Sequence, residues 1–268
     1  MGFGCGCCFY RDIKSSTYSE LCQTDTSSVL CRGGGIGNRI LQIWAGIAYA
    51  KETGREFVFY EPHMTPNPHT SASETRAFIF GLFPSVRVHK GYVKWQMRGA
   101  SDPGRHVVLD GFYNSFQEGC GSRAKLTVPR PPTVATAIAL GDRTYFIHFR
   151  FGDFVGTHYA VDLSNYYTIA VASVLAEDPD AVFLLFSDEP SRIDVKGVGL
   201  AEGQYTIVPA GVGMWETFWL MSRCFGGICA NSTFSTCAAW AVPGPVYMPR
   251  VWKVGYAEPL LPAWVNAI

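Results

Sequence analysis

The chain has 268 residues, with 22 basic and 22 acidic side chains and therefore no net charge at neutral pH. That balance argues against a basic nucleic-acid surface or an acidic tail, and no segment reaches the roughly 18 continuous apolar residues of a membrane helix. Abundant glycine (28 residues) and 7 Trp, 13 Tyr and 18 Phe suit an α/β protein with many tight turns, long enough for two compact halves.

Residues 1–27 read as an irregular lead-in rich in Ser, Thr and Cys. Of the nine cysteines, five crowd the first 31 residues, at 5, 7, 8, 22 and 31. The others are Cys120, Cys224, Cys229 and Cys237. An odd count without regular spacing does not make a disulfide framework, and Cys229 and Cys237 lie in apolar runs as small core residues. Cys5-Gly6-Cys7-Cys8 lacks a matching Cys/His pair for a metal, so a reduced tail is the simpler reading. Position 6 is Gly, which breaks the myristoylation pattern begun by Gly2. Met1 to Cys8 has neither a basic start nor a long apolar stretch, so a soluble, cytoplasmic protein is expected.

Val29-Leu30-Cys31 begins an apolar element that stops at Arg32-Gly33-Gly34-Gly35-Ile36-Gly37-Asn38. The periodic apolar residues Ile40, Leu41, Ile43, Trp44, Ile47 and Ala48 predict a helix over 39–53, with Gly54 as its stop. A strand follows over 56–60. Residues 61–75 carry three Pro, together with His63 and His69, and no periodicity, which predicts a surface loop or lid. Residues 107–110 read as a short buried strand, and Pro129-Arg130-Pro131-Pro132 as the linker between halves.

The second half alternates more regularly. Strands are expected at 145–149, 181–186, 205–208 and 227–230, and helices at 163–176, 214–224 and 233–242. The continuous apolar run 181–186 suits a parallel strand covered on both faces. The alternation predicts a parallel, doubly wound sheet.

Such sheets bind ligands beyond the carboxyl ends of their strands. Three polar clusters should therefore share one edge: His148-Phe149-Arg150-Phe151-Gly152-Asp153, Ser187-Asp188-Glu189, and Asn231-Ser232-Thr233. Arg150, in a Gly-Asp turn, has a guanidinium suited to bidentate phosphate contact, or to an internal salt bridge with Asp153. His148 either hydrogen-bonds a base or ribose or is structural. Asn231, Ser232 and Thr233 start a helix, where an N-cap and a phosphate site both fit.

Other motifs are weaker. The 33–37 glycine run lacks the Gly-Lys-Ser/Thr ending of a P-loop and the third glycine of a dinucleotide fingerprint, so a dehydrogenase is the weakest reading. Asp178-Pro179-Asp180 resembles a metal-binding Asp-x-Asp but precedes a strand, where a turn is expected. Asn231-Ser232-Thr233 also matches a glycosylation acceptor, with no secretory signal to use it.

Seven motifs in order resemble the α-1,2-fucosyltransferase family of inverting, GDP-fucose-dependent enzymes. They are Gly34-Gly35-Ile36-Gly37-Asn38-Arg39, Leu109–Ser115, His148–Asp153, Leu163–Tyr167, Phe186–Asp188, Leu220–Cys224 and Ala230–Ser235. The likeness spans about residues 30–252. It implies a GT-B-like α/β fold: two Rossmann-like halves, 28–132 on the acceptor side and 133–268 for the donor nucleotide, with the donor site in the cleft.

The resemblance implies that Arg150 holds the donor diphosphate. It sets Asn38, beside Gly35 and Gly37, toward the transferred sugar, and Ser232, Thr233, Phe234 and Ser235 in a phosphate-binding turn. Family members carry a second Arg where Phe151 stands, and a guanine-reading Asp where Thr217 stands beside Glu216, which could substitute. His148, Ser187, Asp188 and Asn231 complete the expected donor set. Asp153 is the candidate base, with Asp162 and His158 behind it. Asp110, Tyr113 and His158 are expected on the acceptor side.

The expected reaction is transfer of a sugar, L-fucose from GDP-β-L-fucose by family, to a carbohydrate hydroxyl, in α-1,2 linkage to galactose. It inverts configuration and uses no metal or other cofactor. The expected partners are the nucleotide-sugar donor and a glycan acceptor. Phe151 and Thr217 keep two alternatives open: another nucleotide sugar, or a binding module that no longer catalyses.

Overall fold

The computed structural model describes residues 9–13, 25–29, 31, 34–60, 70–89, 106–110, 126–259 and 261–268. The chain forms two compact units, Met1–Asn114 and Ser115–Ile268.

The first unit holds one five-stranded sheet. Its strands are β1 (Phe9–Ile13), β2 (Thr26–Val29), β3 (Glu56–Tyr60), β4 (Arg87–His89) and β5 (His106–Asp110), in the order β1-β5-β2-β3-β4. All pairs are parallel except β1 with β5. Helix α1 (Ile36–Glu52) links β2 to β3, and α2 (Ala72–Leu82) precedes β4. The chain thus winds outward from β2 to β4, then returns to β5 on the other side of β2, which is the doubly wound pattern.

Parts of this unit depart from the sequence expectation. Residues 9–13 and 26–27, read as irregular lead-in, are strand. Thr26, Ser27 and Ser28 are buried although polar, because β2 is the central strand and pairs on both sides. Small side chains let α1 pack closely: a Cβ on Gly46 would meet the Phe57 ring and stand 2.6 Å from Val29 Cγ1. The expected loop over 61–75 ends early, since α2 begins at Ala72. Ser71 caps it, accepting Glu74 N–H at 3.1 Å. The Ser71-x-x-Glu74 spacing is the sequence signal for that start.

The second unit holds a six-stranded, fully parallel sheet. Its strands are β6 (Thr144–Phe149), β7 (Val182–Ser187), β8 (Tyr205–Ile207), β9 (Gly226–Ile228), β10 (Val246–Met248) and β11 (Asn266–Ala267). Their order is β11-β10-β9-β6-β7-β8, the winding order of a dinucleotide-binding sheet. Helices α3 (Ser164–Glu177), α4 (Met214–Arg223) and α5 (Thr233–Ala239) join them. The expected α/β class, with two Rossmann-like halves, holds.

Period-two alternation sorts β6 onto the two faces of the sheet. Tyr145, Ile147 and Phe149 join a buried cluster with Tyr166, Tyr167, Ala170, Val171 and Val174 of α3 and with Phe183 and Leu185 of β7. Full burial of such side chains contributes about 1.5–3 kcal/mol each. Gly226 and Gly227 are glycine for lack of room. A Cβ on Gly226 would sit 2.6 Å from Pro245 O and from the Tyr145 ring, and one on Gly227 would meet the Phe146 ring.

Residues 126–136 strap across α4. Trp215 Nε1–H donates to Pro129 O at 2.8 Å, and the Arg130 guanidinium lies 5.9 Å from the Trp219 ring centre. Among the described residues, no helix is long and apolar enough to cross a membrane.

Candidate functional site

The chain leaves β6 towards β7 and later returns to β9 on the other side of β6. The loops after β6 and β9 therefore diverge at the carboxyl edge, which is where doubly wound sheets open a crevice. Residues 150–154 follow β6, Asp188 and Glu189 follow β7, and residues 229–232 follow β9.

Arg150 is the centre of this edge. Its Nε–H donates to Asp153 Oδ1 at 2.9 Å, and Nη2 lies 2.8 Å from the same oxygen. Asp188 Oδ2 stands 3.2 Å from Nε. The guanidinium lies 5.7 Å from the Phe154 ring centre. The remaining nitrogen, Nη1, makes no hydrogen bond with a described residue. Arg150 thus has a geometric basis for both expected roles: a salt bridge with Asp153, and an uncommitted N–H pair for an incoming oxyanion.

Asp188 fixes the turn. Its Oδ1 accepts Phe151 N–H at 3.0 Å, and Ser187 Oγ, which accepts Glu189 N–H at 3.0 Å, lies 3.5 Å from that oxygen. Gly152 is required by this approach, because a Cβ there would stand 2.7 Å from Asp188 Oδ2. Arg192 pairs with Glu189 at 2.6 Å and lies 4.6 Å from the Phe151 ring centre. Asp153, Asp188 and Glu189 against Arg150 and Arg192 leave this edge with one net negative charge. The two carboxylates on Arg150 compete with an incoming anion for the guanidinium. Asp153, with 53% of its side chain exposed against 20% for Asp188, is the more exposed of the two.

His148 lies on the opposite face of β6 from Tyr145 and Phe149, with its ring centre 5.9 Å from that of Phe234. It is buried, and Nδ1 has no hydrogen-bond partner among the described residues. Burial, and secondarily the charge of Arg150, pushes its pKa down to about 3, so the imidazole is neutral at physiological pH. Tyr167 Oη–H donates to His148 O at 2.8 Å, fixing the strand end.

The turn after β9 is largely satisfied from within. Ser232 caps α5 by accepting Phe234 N–H at 3.3 Å. Ser235 Oγ donates to Ser232 O at 3.3 Å. Asn231 spends its amide hydrogens on Tyr159 O and Trp252 O, each at 2.9 Å. Thr233 and Phe234 are half-buried, and Phe234 packs edge-on against Phe218 at 5.4 Å.

Glu216, in the first turn of α4, is buried with both oxygens in use. Oε2 accepts Ala135 N–H at 2.9 Å; Oε1 accepts Thr136 N–H at 2.9 Å and Thr136 Oγ1–H at 2.6 Å. Burial alone would raise its pKa, but these three bonds outweigh that and hold it below the usual carboxylate range. The carboxylate anchors the strap. Asp162 is likewise committed close by, since Ser164 N–H and Oγ–H donate to its Oδ1 at 3.0 and 2.7 Å, which lowers its pKa. His158 is exposed and packs on Tyr159 and Tyr256.

In the first unit, Gly35, Gly37, Asn38 and Asp110 share another switch point, between β2 and β5. Gly35 caps α1, and Gly37 and Asn38 lie in its first turn. Gly34 has φ +69°, and a Cβ there would meet Asn38 Nδ2, so the loop folds back on the Asn38 side chain. Arg39 beside it is fully buried. Burial pushes the Cys31 thiol up to about 12, against the opposing pull of Arg39. Asp110 ends β5. Tyr113, with the rest of 111–125, and the 61–69 part of the expected lid lie outside the described residues.

A pocket of about 540 Å³ opens at the opposite, amino-terminal edge of the second sheet, between Asp142, Arg223 and Phe225. It is remote from the strand ends where ligands of this fold bind. Among the described residues, no group of three or more His, Cys, Asp or Glu is placed to hold a metal ion.

Sequence reasoning missed two features of this edge. Tyr167 was legible only as part of a motif, because its bond to the His148 carbonyl crosses from helix to strand. Lys253 and Tyr256 carried no signal, since their contacts with residues 158–159 span almost a hundred positions.

No described family and no curated protein matches this sequence. Solved structures similar to the chain include glycosyltransferases. The iron-containing dodecameric glycosyltransferase TibC of enterotoxigenic E. coli shares 11% identity at TM-score 0.44, over 88% of this chain and 61% of that one. This chain therefore spans about three-fifths of that protein's length. The E. coli heptosyltransferase WaaC with ADP-2-deoxy-2-fluoro heptose shares 10% identity at TM-score 0.41, over 91% and 92%. The fucosyltransferase NodZ from Bradyrhizobium shares 13% at TM-score 0.38, over 81% and 93%.

Proposed function

We propose that this protein is a GT-B-like glycosyltransferase that binds the diphosphate of a nucleotide sugar at Arg150 and transfers the sugar to a carbohydrate hydroxyl with inversion. The observation that carries the reading is the Arg150 guanidinium at the β6/β9 switch point. It is fixed from behind by Asp188, with Nη1 uncommitted and a second, more exposed counterion in Asp153.

The chemistry follows from charge. As the glycosidic bond breaks, negative charge collects on the leaving diphosphate. A guanidinium already oriented there stabilises that charge with little reorganisation. The phosphate takes the place of Asp153, whose carboxylate is then released to accept the proton of the attacking hydroxyl. The neutral, buried His148 packs against Phe234 at the same strand end.

The ordered motif resemblance to the α-1,2-fucosyltransferases supports GDP-fucose as donor and a galactoside as acceptor. Phe151, at the position of the family's second Arg, supports the second reading, another nucleotide sugar. The discriminating experiment is a thermal-shift screen of GDP-fucose, GDP-mannose, UDP-galactose and ADP-heptose, paired with a donor-hydrolysis assay. Stabilisation and hydrolysis confined to GDP-fucose is the expected result. Stabilisation by none of the four would sink the proposal, and stabilisation without turnover of donor or acceptor would make the protein a binding module.

A further inference from the structure

We infer that an exposed aromatic shelf formed by His158, Tyr159 and Tyr256, with Lys253, is the subsite that seats a pyranose ring of the carbohydrate acceptor. This rests on the proposed transferase reading and adds the place and chemistry of acceptor recognition.

The shelf is built from two distant loops. His158 packs at a tilt against Tyr159, with ring centres 4.4 Å apart, and against Tyr256 at 5.1 Å. Lys253 Nζ lies 4.9 Å from the Tyr159 centre and 5.4 Å from that of Tyr256. Tyr256 nevertheless remains 62% exposed, beside Val254 at 60%. Neighbouring exposed side chains of this size form a contiguous surface of the kind that carries ligand or partner contacts.

The shelf is also held in shape before any ligand arrives. Asn231 donates to Tyr159 O and Trp252 O, clamping the two loops together, and Val254 N–H donates to His158 O at 2.8 Å. Preorganisation of this kind removes the ordering cost that weakens binding by loops. That gives the buried Asn231 amide a purpose: it fixes the shelf to the end of β9.

Position and chemistry select the occupant. Phe154 stacks on Tyr159 at 5.1 Å and also lies under Arg150 at 5.7 Å, so the shelf begins one ring beyond the phosphate contact. A pyranose has an apolar C–H face and a rim of hydroxyls. The shelf offers the complement: aromatic rings bordered by a phenol, an imidazole and an ammonium group. Phe154 and Lys253 already pack on Tyr159, so the ring surface offered to the guest is that of the exposed Tyr256 and His158, and the ammonium group beside it disfavours a cationic guest.

The test uses the full chain without donor. Saturation-transfer NMR is recorded with lactose and with the methyl glycosides of galactose, glucose, mannose and N-acetylglucosamine, and GDP is titrated in parallel by calorimetry. The wild type is expected to saturate at least one sugar. Tyr256→Ala and His158→Ala should each lose about fivefold or more of that binding, with Tyr256→Phe losing less, since the ring face and not the hydroxyl dominates. GDP affinity and melting temperature should stay unchanged. No saturation of any sugar by the wild type, or undiminished saturation in Tyr256→Ala, overturns the inference. A fall in GDP affinity with sugar binding intact also overturns it and assigns the shelf to the nucleotide. Sugar binding that depends on Tyr256 in a protein that binds no nucleotide supports the shelf while the donor reading fails.

Discussion

Asp188 holds Arg150 from two directions: its Oδ2 stands 3.2 Å from the arginine Nε, and its Oδ1 accepts the N–H of the next residue, Phe151, at 3.0 Å. One carboxylate thus sets both the side chain and the backbone of the turn. Gly152 is what allows the approach. A guanidinium fixed in this way gives the candidate site its directionality.

Replacing Arg150 with Ala should remove nucleotide-sugar binding and nearly abolish transfer while the chain stays folded. The turn keeps the Phe151–Asp188 bond, so far-ultraviolet circular dichroism should be unchanged. Retention of more than about a tenth of the activity, a barrier change below about 1.4 kcal/mol, would falsify the role.

Asp153→Asn should act in the opposite sense on binding. It removes the net negative charge of the edge and weakens the contact that an incoming phosphate has to displace. GDP affinity is expected to rise about three- to tenfold, or roughly 0.6–1.4 kcal/mol, while transfer falls through loss of the base. Calorimetry and initial-rate kinetics separate the two effects. Weaker GDP binding in the variant would show that Asp153 supports the site and does not compete for it.

His148 should make folding pH-dependent. Its pKa is about 3 in the folded chain against about 6.5 when unfolded, so the unfolded state binds more protons between those values. The stability tied to its neutral form is complete above about pH 6.5 and is lost as pH falls towards 3, at up to about 1.4 kcal/mol per pH unit. Urea unfolding at pH 7.5, 6.5, 5.5 and 4.5 should show this slope, and His148→Gln should flatten it. Parallel profiles for the two proteins would rule the assignment out.

Glu216→Ala should destabilise the second unit by about 2–4 kcal/mol, because Ala135 N–H, Thr136 N–H and the Thr136 hydroxyl all lose a buried charged acceptor. Glu216→Gln should cost less, since one carbonyl oxygen remains. If the carboxylate only anchors the strap, GDP affinity measured well below the melting temperature changes little. A switch of preference from GDP to ADP in Glu216→Gln would instead return Glu216 to base recognition.

Chelation with EDTA is expected to leave transfer unchanged, because Arg150 supplies the charge that a divalent ion would otherwise bring. Loss of activity that manganese restores would contradict the metal-free mechanism.

The α/β alternation of the second unit was legible because its strands are continuous apolar runs and its helices follow polar turns. The second-unit strands expected at 145–149, 181–186, 205–208 and 227–230 correspond to β6, β7, β8 and β9 with small shifts at their ends. The first unit was harder to read. Its central strand is Thr26-Ser27-Ser28-Val29, a polar sequence buried by its neighbours, and no local pattern marks such a strand. β10 and β11 are too short to show a period.

By itself the sequence determined the winding class of the chain and the candidate residues at its strand ends, because hydrophobic periodicity and turn chemistry are local properties. Tertiary structure alone decided what those side chains are committed to. Asp188 is joined to Phe151 across 37 positions, Glu216 to Thr136 across 80, and Asn231 to Tyr159 across 72. No motif encodes such partners, since each hydrogen bond is made only after the strands have set the spacing between distant loops. That is why Arg150 could be found by reading, whereas its pairing with the second carboxylate, Asp188, could be found only in the fold.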